Sequence, residues 1–395
     1  LFDRLGLVIV LVVLLCACQS PTDSPGTSAA LSLASGPMSG YFSVRINLGE
    51  GIDPEDVGWV RVGTVHAYAL RPEPDGSLSV TVQGHATPGP VVVTVGVGDT
   101  THELPEVFVY EPPVSNDYWT LFSIGASLTQ GIQRGVPTEW SLTHGPAALV
   151  ARQMGVFFPL PILIDGAFEE MTPDLMGPPP FCQPPPLDAF QIEQASTLIP
   201  MAFSEETQRF DYALTRVDPT LDTHNLAVGG SRVGDTLDGP PEDELAMNFL
   251  GHMVYEPQGT LGDPVTESQM KRLESQAPDV VISFDLLGND FILGVINDAD
   301  FSVEDMTPID TFLANIDRAV DRLAQTEAEV FIANLPLPTA LPFFRAKRAR
   351  LASEGLTENA ALFFETIEAG TVAANERVST RADLYSNVHV IDVYA

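Results

Sequence analysis

Hydrophobic and polar positions follow two different patterns, one before and one after about residue 113. Over residues 36–112, short runs alternate apolar and polar side chains, and turn-forming segments such as Pro72-Glu73-Pro74-Asp75-Gly76 separate them. This alternation predicts strands with one buried face over residues 41–48, 59–62, 78–82, 91–97 and 107–110. Short strands at such intervals are typical of a small all-β sandwich, which we assign to residues 36–113.

Beyond residue 113, buried strands alternate with helical segments. Apolar runs predict strands over residues 119–124, 280–284, 330–333 and 388–393. Residues 310–326 carry apolar side chains at helical spacing, namely Phe312, Leu313, Ile316, Ala319, Val320 and Leu323. A helix between two buried strands predicts a right-handed crossover within a parallel sheet, so we expect an α/β domain over residues 114–395. The active sites of such sheets lie at the carboxyl ends of the strands.

The first 18 residues have the pattern of a bacterial lipoprotein signal peptide. Residues 5–15 are apolar apart from Gly6, and such a run is too short to span a bilayer. The sequence Leu15-Cys16-Ala17-Cys18 resembles a lipobox, which implies lipidation of Cys18, and Gln19 after it implies sorting to the outer membrane. Residues 19–35 are rich in Ser, Pro, Thr and Gly and predict a flexible tether. An ordinary secretory signal with incidental cysteines is the alternative.

The composition limits the partners of this chain. Its 395 residues leave room for two or three domains, and 53 acidic against 19 basic residues give a formal net charge of −34. Such an excess of negative charge argues against nucleic acid as a partner and against docking on an anionic membrane through a basic patch. With Cys16 removed and Cys18 acylated, Cys182 remains alone, which excludes a disulfide framework. No metal-ligand spacing surrounds Cys182, so we expect no metal site.

Three segments place polar groups where predicted strands end. In Gly125-Ala126-Ser127-Leu128-Thr129, the small pair after an apolar run allows a sharp turn that presents the Ser127 hydroxyl. Residues 225–231 and 286–290, which contain Gly230 and Asn289, offer hydrogen-bond donors at comparable positions. Ester hydrolysis develops negative charge on a carbonyl oxygen, so we expect the Ser127 amide, the Gly230 amide and the Asn289 side chain to stabilise it. For each segment taken alone, the alternative is that its Ser, Gly or Asn serves only to form a turn.

Together these segments resemble the SGNH (GDSL-type) hydrolase family over residues 116–395. Residues 123–129 match its first block, with Ala126 in place of the usual Asp, and residues 225–230 match the second. Residues 288–290 match the third block in a form shortened by one residue, and residues 331–336 resemble the strand and turn that follow it. The resemblance implies a flavodoxin-like three-layer α/β/α hydrolase domain, with Ser127 as nucleophile, Gly230 and Asn289 as oxyanion donors, and no cofactor.

Residues 36–113 resemble a different family, the IPT/TIG immunoglobulin-like domains. The residues that carry this looser match are Gly63-Thr64-Val65 and the closing segment, residues 105–110. We favour a spacer without a ligand over a binding module for this domain.

The general base of the SGNH family has no match in this chain. It comes from a D-x-x-H block near the carboxyl terminus, whereas residues 388–393 hold His389 and Asp392 in the reverse order and the sequence stops at Ala395. A serine without a base is a poor nucleophile. We therefore expect an incomplete carboxyl terminus and little hydrolysis. His224 is the candidate base within the chain, although a loop histidine is more often a solvated surface residue.

The sequence thus predicts a lipid-anchored serine esterase or lipase of the bacterial cell envelope. Its expected substrate is an ester of a lipid or an acylated sugar, and no metal, cofactor or nucleic acid is implied. The Pro- and Phe-rich connection over residues 157–223 is expected to form a lid or a pocket wall. The alternative is a non-catalytic envelope or adhesion lipoprotein that kept the hydrolase fold without its base. A D-x-x-H block encoded beyond Ala395 would favour the enzyme.

Overall fold

The computed structural model describes the chain in several stretches. These are residues 31–49, 51–132, 138–162, 201–204, 209–212, 216–218, 221–239, 251, 254–255, 267–291, 306–353, 355 and 357–393. The predicted signal peptide with Cys18, the tether up to residue 30, and Cys182 within the long connection lie outside the described residues. The predictions for the anchor and for the lid therefore stay predictions.

Seven strands of the amino-terminal region form one mixed sheet. They are β1 (Ser35–Pro37), β2 (Gly40–Ile46), β3 (Val57–Val62), β4 (Val65–Pro72), β5 (Leu78–Gln83), β6 (Gly89–Val97) and β7 (Thr100–Glu111). The strand order is β1-β7-β6-β3-β4-β5-β2. β1 runs parallel to β7, while the other neighbouring strands are antiparallel. A short 3-10 helix, Pro54–Asp56, precedes β3.

Alternating side chains explain why this sheet encloses a core. In β2, Val44 and Ile46 are buried while the residues beside them are exposed, and in β6 Val93 and Val95 are buried with the partly exposed Thr94 between them. These side chains pack in one cluster with Tyr110, whose hydroxyl donates a 3.0 Å hydrogen bond to the carbonyl oxygen of Gln83. The hydroxyl of Tyr110 therefore has a hydrogen-bond partner inside the core, as a buried tyrosine requires.

The remaining strands belong to a parallel sheet and a hairpin. They are β8 (Leu121–Ser123), β9 (Met201–Ser204), β10 (Arg209–Tyr212), β11 (Val280–Ser283), β12 (Glu329–Ala333) and β13 (Val388–Ile391). Four of them form a parallel sheet in the order β13-β12-β11-β8, and β9 pairs antiparallel with β10. Beside β8, Asn225 pairs with Ser123 through an isolated parallel bridge. The carboxyl ends of β8 and β11 therefore meet at one edge of this sheet.

Helices flank the parallel sheet. Those that the structure delimits are α1 (Ser127–Gln130), α2 (Glu139–Thr143), α3 (Pro146–Met154), α4 (Val233–Asp238), α5 (Gln269–Glu274), α6 (Ile309–Ala324), α7 (Pro342–Ser353) and α8 (Thr357–Ala382). The predicted helix between β11 and β12 is confirmed as α6, whose apolar stripe is buried. It also packs against α8, where Arg381 pairs with Asp321 at 2.5 Å. No described helix is both long and apolar enough to cross a bilayer.

The predicted fold class is wrong. The amino-terminal region is not a small sandwich of two sheets, because all seven strands join in a single mixed sheet. The region that follows does not show the complete flavodoxin-like α/β/α domain either. Its described part holds a four-stranded parallel sheet, and the segment at Asn225 contributes only an isolated bridge. Side-chain alternation locates strands, but it does not reveal which distant strands pair, since pairing depends on contacts outside the local pattern.

The two regions share an apolar contact. Tyr41 and Tyr68 of the mixed sheet pack in one cluster with Leu121 and Ile282 of the parallel sheet. The Tyr41 hydroxyl also accepts a 2.5 Å hydrogen bond from the amide of Leu160. The parallel sheet is therefore supported from the side of the mixed sheet.

Candidate active site

Gly125 makes the sharp turn that presents Ser127 after β8. Its φ of +137° lies in the region that favours glycine. A Cβ at this position would stand 2.7 Å from Asp285 Oδ1 and 2.8 Å from Thr129 Oγ1. Any other residue would therefore push apart the groups that hold residues 125–129, which we call the serine turn.

The carboxylate of Asp285 holds the serine turn in place. Its Oδ1 accepts hydrogen bonds from Ala126 N at 2.9 Å, from Thr129 N at 3.2 Å and from Thr129 Oγ1 at 2.5 Å. Its Oδ2 accepts a fourth from Leu128 N at 2.6 Å. Burial raises the pKa of Asp285, and the hydrogen bonds from Thr129 and the neighbouring amides act in the opposite direction. Asp285 is thus the partner that fixes the backbone on both sides of Ser127.

Asp285 was not predicted from the sequence. Its available signal was an acidic residue between Phe284 and Leu286, directly after a buried strand. A charge in such surroundings is costly unless it is paired or hydrogen-bonded, so its partners had to lie inside the fold. Those partners belong to a segment about 157 positions earlier in the chain, which no local pattern reveals.

Ser127 keeps its own donor groups available. The amides of Ala126, Leu128 and Thr129 all donate to Asp285. Among the described residues, the Ser127 amide has no acceptor and the Ser127 hydroxyl has no hydrogen-bond partner. The Ser127 residue is partly exposed. Ser127 therefore combines a rigid backbone with an unoccupied amide and an unoccupied hydroxyl.

The segment that contains Gly230 is bound to the serine turn. Asn225 Oδ1 accepts from Ser123 Oγ at 2.8 Å, and Asn225 Nδ2 donates to the carbonyl oxygen of Gln130 at 3.0 Å. Gln130 Oε1 in turn accepts a 2.7 Å hydrogen bond from the amide of Gly229. Gly230 follows with a φ of +89°, and its amide has no acceptor among the described residues. A second unoccupied backbone donor therefore lies at the same edge of the sheet.

Asn289 and Gln269 bring the third segment to this edge. The buried Asn289 side chain donates from Nδ2 to the carbonyl oxygen of Ser231 at 2.9 Å. Gln269 accepts from the Gly125 amide at 2.7 Å and donates to the Gly125 carbonyl oxygen at 2.8 Å and to Ser231 Oγ at 3.1 Å. The amide of Asn289 therefore stands beside the residue that follows Gly230, and hydrogen bonds connect it to the serine turn.

Asp290 is a buried acid with an incomplete set of donors. Its Oδ2 accepts a 2.9 Å hydrogen bond from the amide of Val233, the first residue of α4. Its Oδ1 is buried and has no partner among the described residues. Burial raises the pKa of Asp290 to about 6, against the lowering effect of the hydrogen bonds from Val233 and Thr307. Asp290 therefore anchors α4 while one of its oxygens stays unsatisfied.

His224 is buried at the far end of β8 from Ser127. Its Nδ1 lies 3.2 Å from the carbonyl oxygen of Leu121, the first residue of β8, and its ring stacks on Phe122 with 3.9 Å between centroids. Burial lowers the pKa of His224 to about 4. The expectation of a solvated loop histidine is therefore wrong. Since a strand advances about 3.3 Å per residue, the ring stands well away from the serine turn and supports the core instead.

His389 and Asp392 have partners elsewhere in the fold. His389 Nε2 lies 2.7 Å from Glu329 Oε2 on the adjacent strand β12, and Asp392 Oδ1 accepts from Asn334 Nδ2 at 2.8 Å. Neither contact involves the serine turn. In the part of the chain that the structure describes, no group of three or more His, Cys, Asp or Glu side chains is arranged to hold a metal ion.

Comparisons with known proteins give little information about this site. No protein-family model matches the chain, and no curated protein matches it. Among solved structures, the chain is similar to the full extracellular region of plexin A4, domains 1 to 10, with 26% identity and a TM-score of 0.19. The match covers 25% of this chain and 9% of the plexin chain. A TM-score of this size does not establish a common fold.

Proposed function

We propose that this protein is a carboxylic ester hydrolase of the SGNH type with Ser127 as its nucleophile. The observation that carries the proposal is the hydrogen bonding of the serine turn. Asp285 binds the amides on both sides of Ser127, while the Ser127 amide has no acceptor among the described residues. A rigid, unoccupied N–H beside a serine hydroxyl is what the developing oxyanion of acyl transfer requires.

The chemistry follows from these groups. Ser127 Oγ attacks the acyl carbon, and the electron pair of the carbonyl bond moves onto the carbonyl oxygen. The amides of Ser127 and Gly230 and the second N–H of Asn289 Nδ2 stabilise this oxyanion. Collapse of the tetrahedral intermediate expels the alcohol, which takes up the proton that Ser127 released, and water then removes the acyl group by the same two steps. A general base must carry that proton between the two oxygens.

The sequence adds a location and a substrate class to the proposal. Residues 15–18 support lipidation at Cys18, and residues 19–35 support a tether to the outer membrane. We place the hydrolase in the bacterial cell envelope, where it acts on esters of a lipid or of an acylated sugar. No metal or cofactor takes part in the chemistry proposed for Ser127.

A non-catalytic envelope or adhesion lipoprotein is the second candidate function. The observation that favours it concerns the general base, which in serine hydrolases is most often a histidine. None of the histidines that the structure describes contacts Ser127, and the ring of His224 is held by Leu121 and Phe122. Without a general base, the serine turn would have a structural role and no catalytic role.

The test compares two versions of the protein, one ending at Ala395 and one continued to the stop codon of its gene. Each is assayed on short and long p-nitrophenyl esters with and without Ser127→Ala. We expect hydrolysis in at least one version, and a loss of about a thousandfold or more on Ser127→Ala. Ser275→Ala is the matched control, because Ser275 is exposed at the end of α5. Absence of any Ser127-dependent hydrolysis in both versions would establish the second candidate.

A further inference from the structure

Helix α7 concentrates positive charge in an acidic protein. Four of the 19 Lys and Arg residues of the chain lie within residues 345–350, and they are Arg345, Lys347, Arg348 and Arg350. The helix contains no acidic residue, although the formal net charge of the chain is −34. Like charges on neighbouring helix positions repel one another. The total charge argues against a basic patch, yet the local sequence builds one.

Five arginines elsewhere on the described helices face carboxylates at short distance. These pairs are Arg272 with Asp222 at 2.7 Å, Arg318 with Asp238 at 2.8 Å, Arg322 with Glu274 at 2.7 Å, Arg381 with Asp321 at 2.5 Å, and Arg377 with Asp317. Arg345 and Arg348 differ, because both side chains are exposed and neither pairs with an acid among the described residues. The guanidinium groups of these two arginines are therefore available to an anion that is not part of the described chain.

A groove lies beside these two arginines, and we call it the arginine groove. Its volume is about 360 Å³, and it is lined by Thr339, Phe344, Arg345, Arg348, Ala349 and Ala352. The guanidinium carbon of Arg348 stands 5.7 Å from the ring centre of Phe364, a cation–π contact that restrains the side chain. The groove therefore combines two cationic forks with an apolar wall.

We propose that the arginine groove binds a phosphate monoester whose other end is a hydrocarbon group. Guanidinium groups match the oxygens of phosphate and carboxylate in a bidentate manner. Two adjacent guanidinium groups carry two positive charges, which a phosphate monoester neutralises and a single carboxylate does not. The apolar wall formed by Phe344, Ala349 and Ala352 accommodates the hydrocarbon group. This site does not depend on the hydrolase activity proposed for Ser127.

The experiment titrates the full chain carrying Ser127→Ala with hexyl phosphate in a calorimeter at about 0.15 M salt. The double variant Arg345→Gln/Arg348→Gln is compared with Arg45→Gln/Arg318→Gln, which removes the same charge from two exposed, paired arginines. We expect saturable binding that weakens about tenfold or more in the first variant and less than about twofold in the second. Inorganic phosphate and hexanoate should both bind more weakly than hexyl phosphate.

Further arms of the experiment identify the source of the phosphate. Vesicles of phosphatidylcholine with and without phosphatidic acid are sedimented with each variant. Binding of hexyl phosphate alone assigns a soluble phosphate ester, and binding of both hexyl phosphate and phosphatidic acid vesicles assigns a lipid headgroup. Three results would overturn the proposal: no saturable binding of hexyl phosphate, hexanoate binding as tightly as hexyl phosphate, or equal weakening in the two double variants.

Discussion

Two acids follow β11, one partly buried and one fully buried, and their surroundings differ. Asp285 receives four hydrogen bonds from the serine turn, three at Oδ1 and one at Oδ2. Asp290 lies five positions later and receives donors at one oxygen, while the other has no partner among the described residues. Burial raises the pKa of both, and to about 6 for Asp290. The first acid fixes a backbone through both of its oxygens, and the second changes its protonation near pH 6.

Replacing Asp285 should have the largest effect. Asp285→Ala leaves the amides of Ala126, Leu128 and Thr129 without this acceptor, and for the buried Ala126 and Thr129 the loss costs about 1–3 kcal/mol each. We expect the free energy of unfolding in urea to fall by roughly 3 kcal/mol or more. Asp285→Asn should fall between the parent and Asp285→Ala, because its amide nitrogen cannot accept hydrogen bonds from backbone donors.

The control for this comparison is Asp383→Ala, since Asp383 is exposed after α8. It removes the same type of side chain from an exposed position and should change the unfolding free energy by less than about 0.5 kcal/mol. Equal losses for Asp285→Ala and Asp383→Ala would show that the four hydrogen bonds do not stabilise the serine turn.

Asp290→Asn should have a smaller effect that depends on pH. The folded protein retains a proton on Asp290 up to about pH 6, whereas the unfolded chain releases it near the ordinary value of 3.8. Stability contributed by this group is therefore highest at low pH and falls as the pH rises through this interval. The difference corresponds to roughly 3 kcal/mol at most, and Asp290→Asn removes it.

The measurement for Asp290 is urea unfolding of the parent and of Asp290→Asn at several values between about pH 4 and pH 7. The variant should gain stability relative to the parent as the pH rises. Two curves that stay parallel across this range would mean that Asp290 titrates with its ordinary pKa in the folded protein.

Replacing His224 should have the smallest effect of these substitutions, measured on the ester hydrolysis that depends on Ser127. His224→Phe retains the aromatic packing on Phe122 and removes every proton-transfer function of the ring. In the version of the protein that shows Ser127-dependent ester hydrolysis, we expect turnover to change by less than about twofold, because the ring lies at the other end of β8. A folded variant with activity as low as that of Ser127→Ala would make His224 the base.

The sequence predicted the elements better than their assembly. The strand that ends before Ser127 and the helix now seen as α6 depend on local apolar spacing, and both lie where the pattern placed them. The pairing of the seven amino-terminal strands in one sheet depends on distant partners, so the pattern did not show it. The same reason explains the failure to predict Asp285, and burial by Phe122 explains why His224 is not a surface residue.

The sequence indicates those residues of the candidate site that belong to short motifs. Ser127, Gly230 and Asn289 belong to turn segments whose residue types are readable in the chain, and hydrogen bonds connect those segments at one edge of the sheet. The arginine groove was hidden by the net charge of −34, because a total does not report where the 19 basic residues lie. Predicting the arginine groove requires the position of each charge along the chain, and predicting the contacts of the site requires hydrogen bonds between distant residues. Composition and motif spacing give neither.

The pairing of β1 with β7 has a mechanical consequence. Ser35 lies opposite Val109 and Pro37 opposite Glu111, so the two strands run in the same direction at one edge of the mixed sheet. Tension applied to the amino terminus and resisted by the parallel sheet would pull these strands from opposite ends. Their hydrogen bonds would then be loaded together in shear instead of one after another. A pull on the amino terminus would first load the contacts of Leu31 with Ile46 and of Ser32 with Arg45 on β2, and then the pair of β1 and β7.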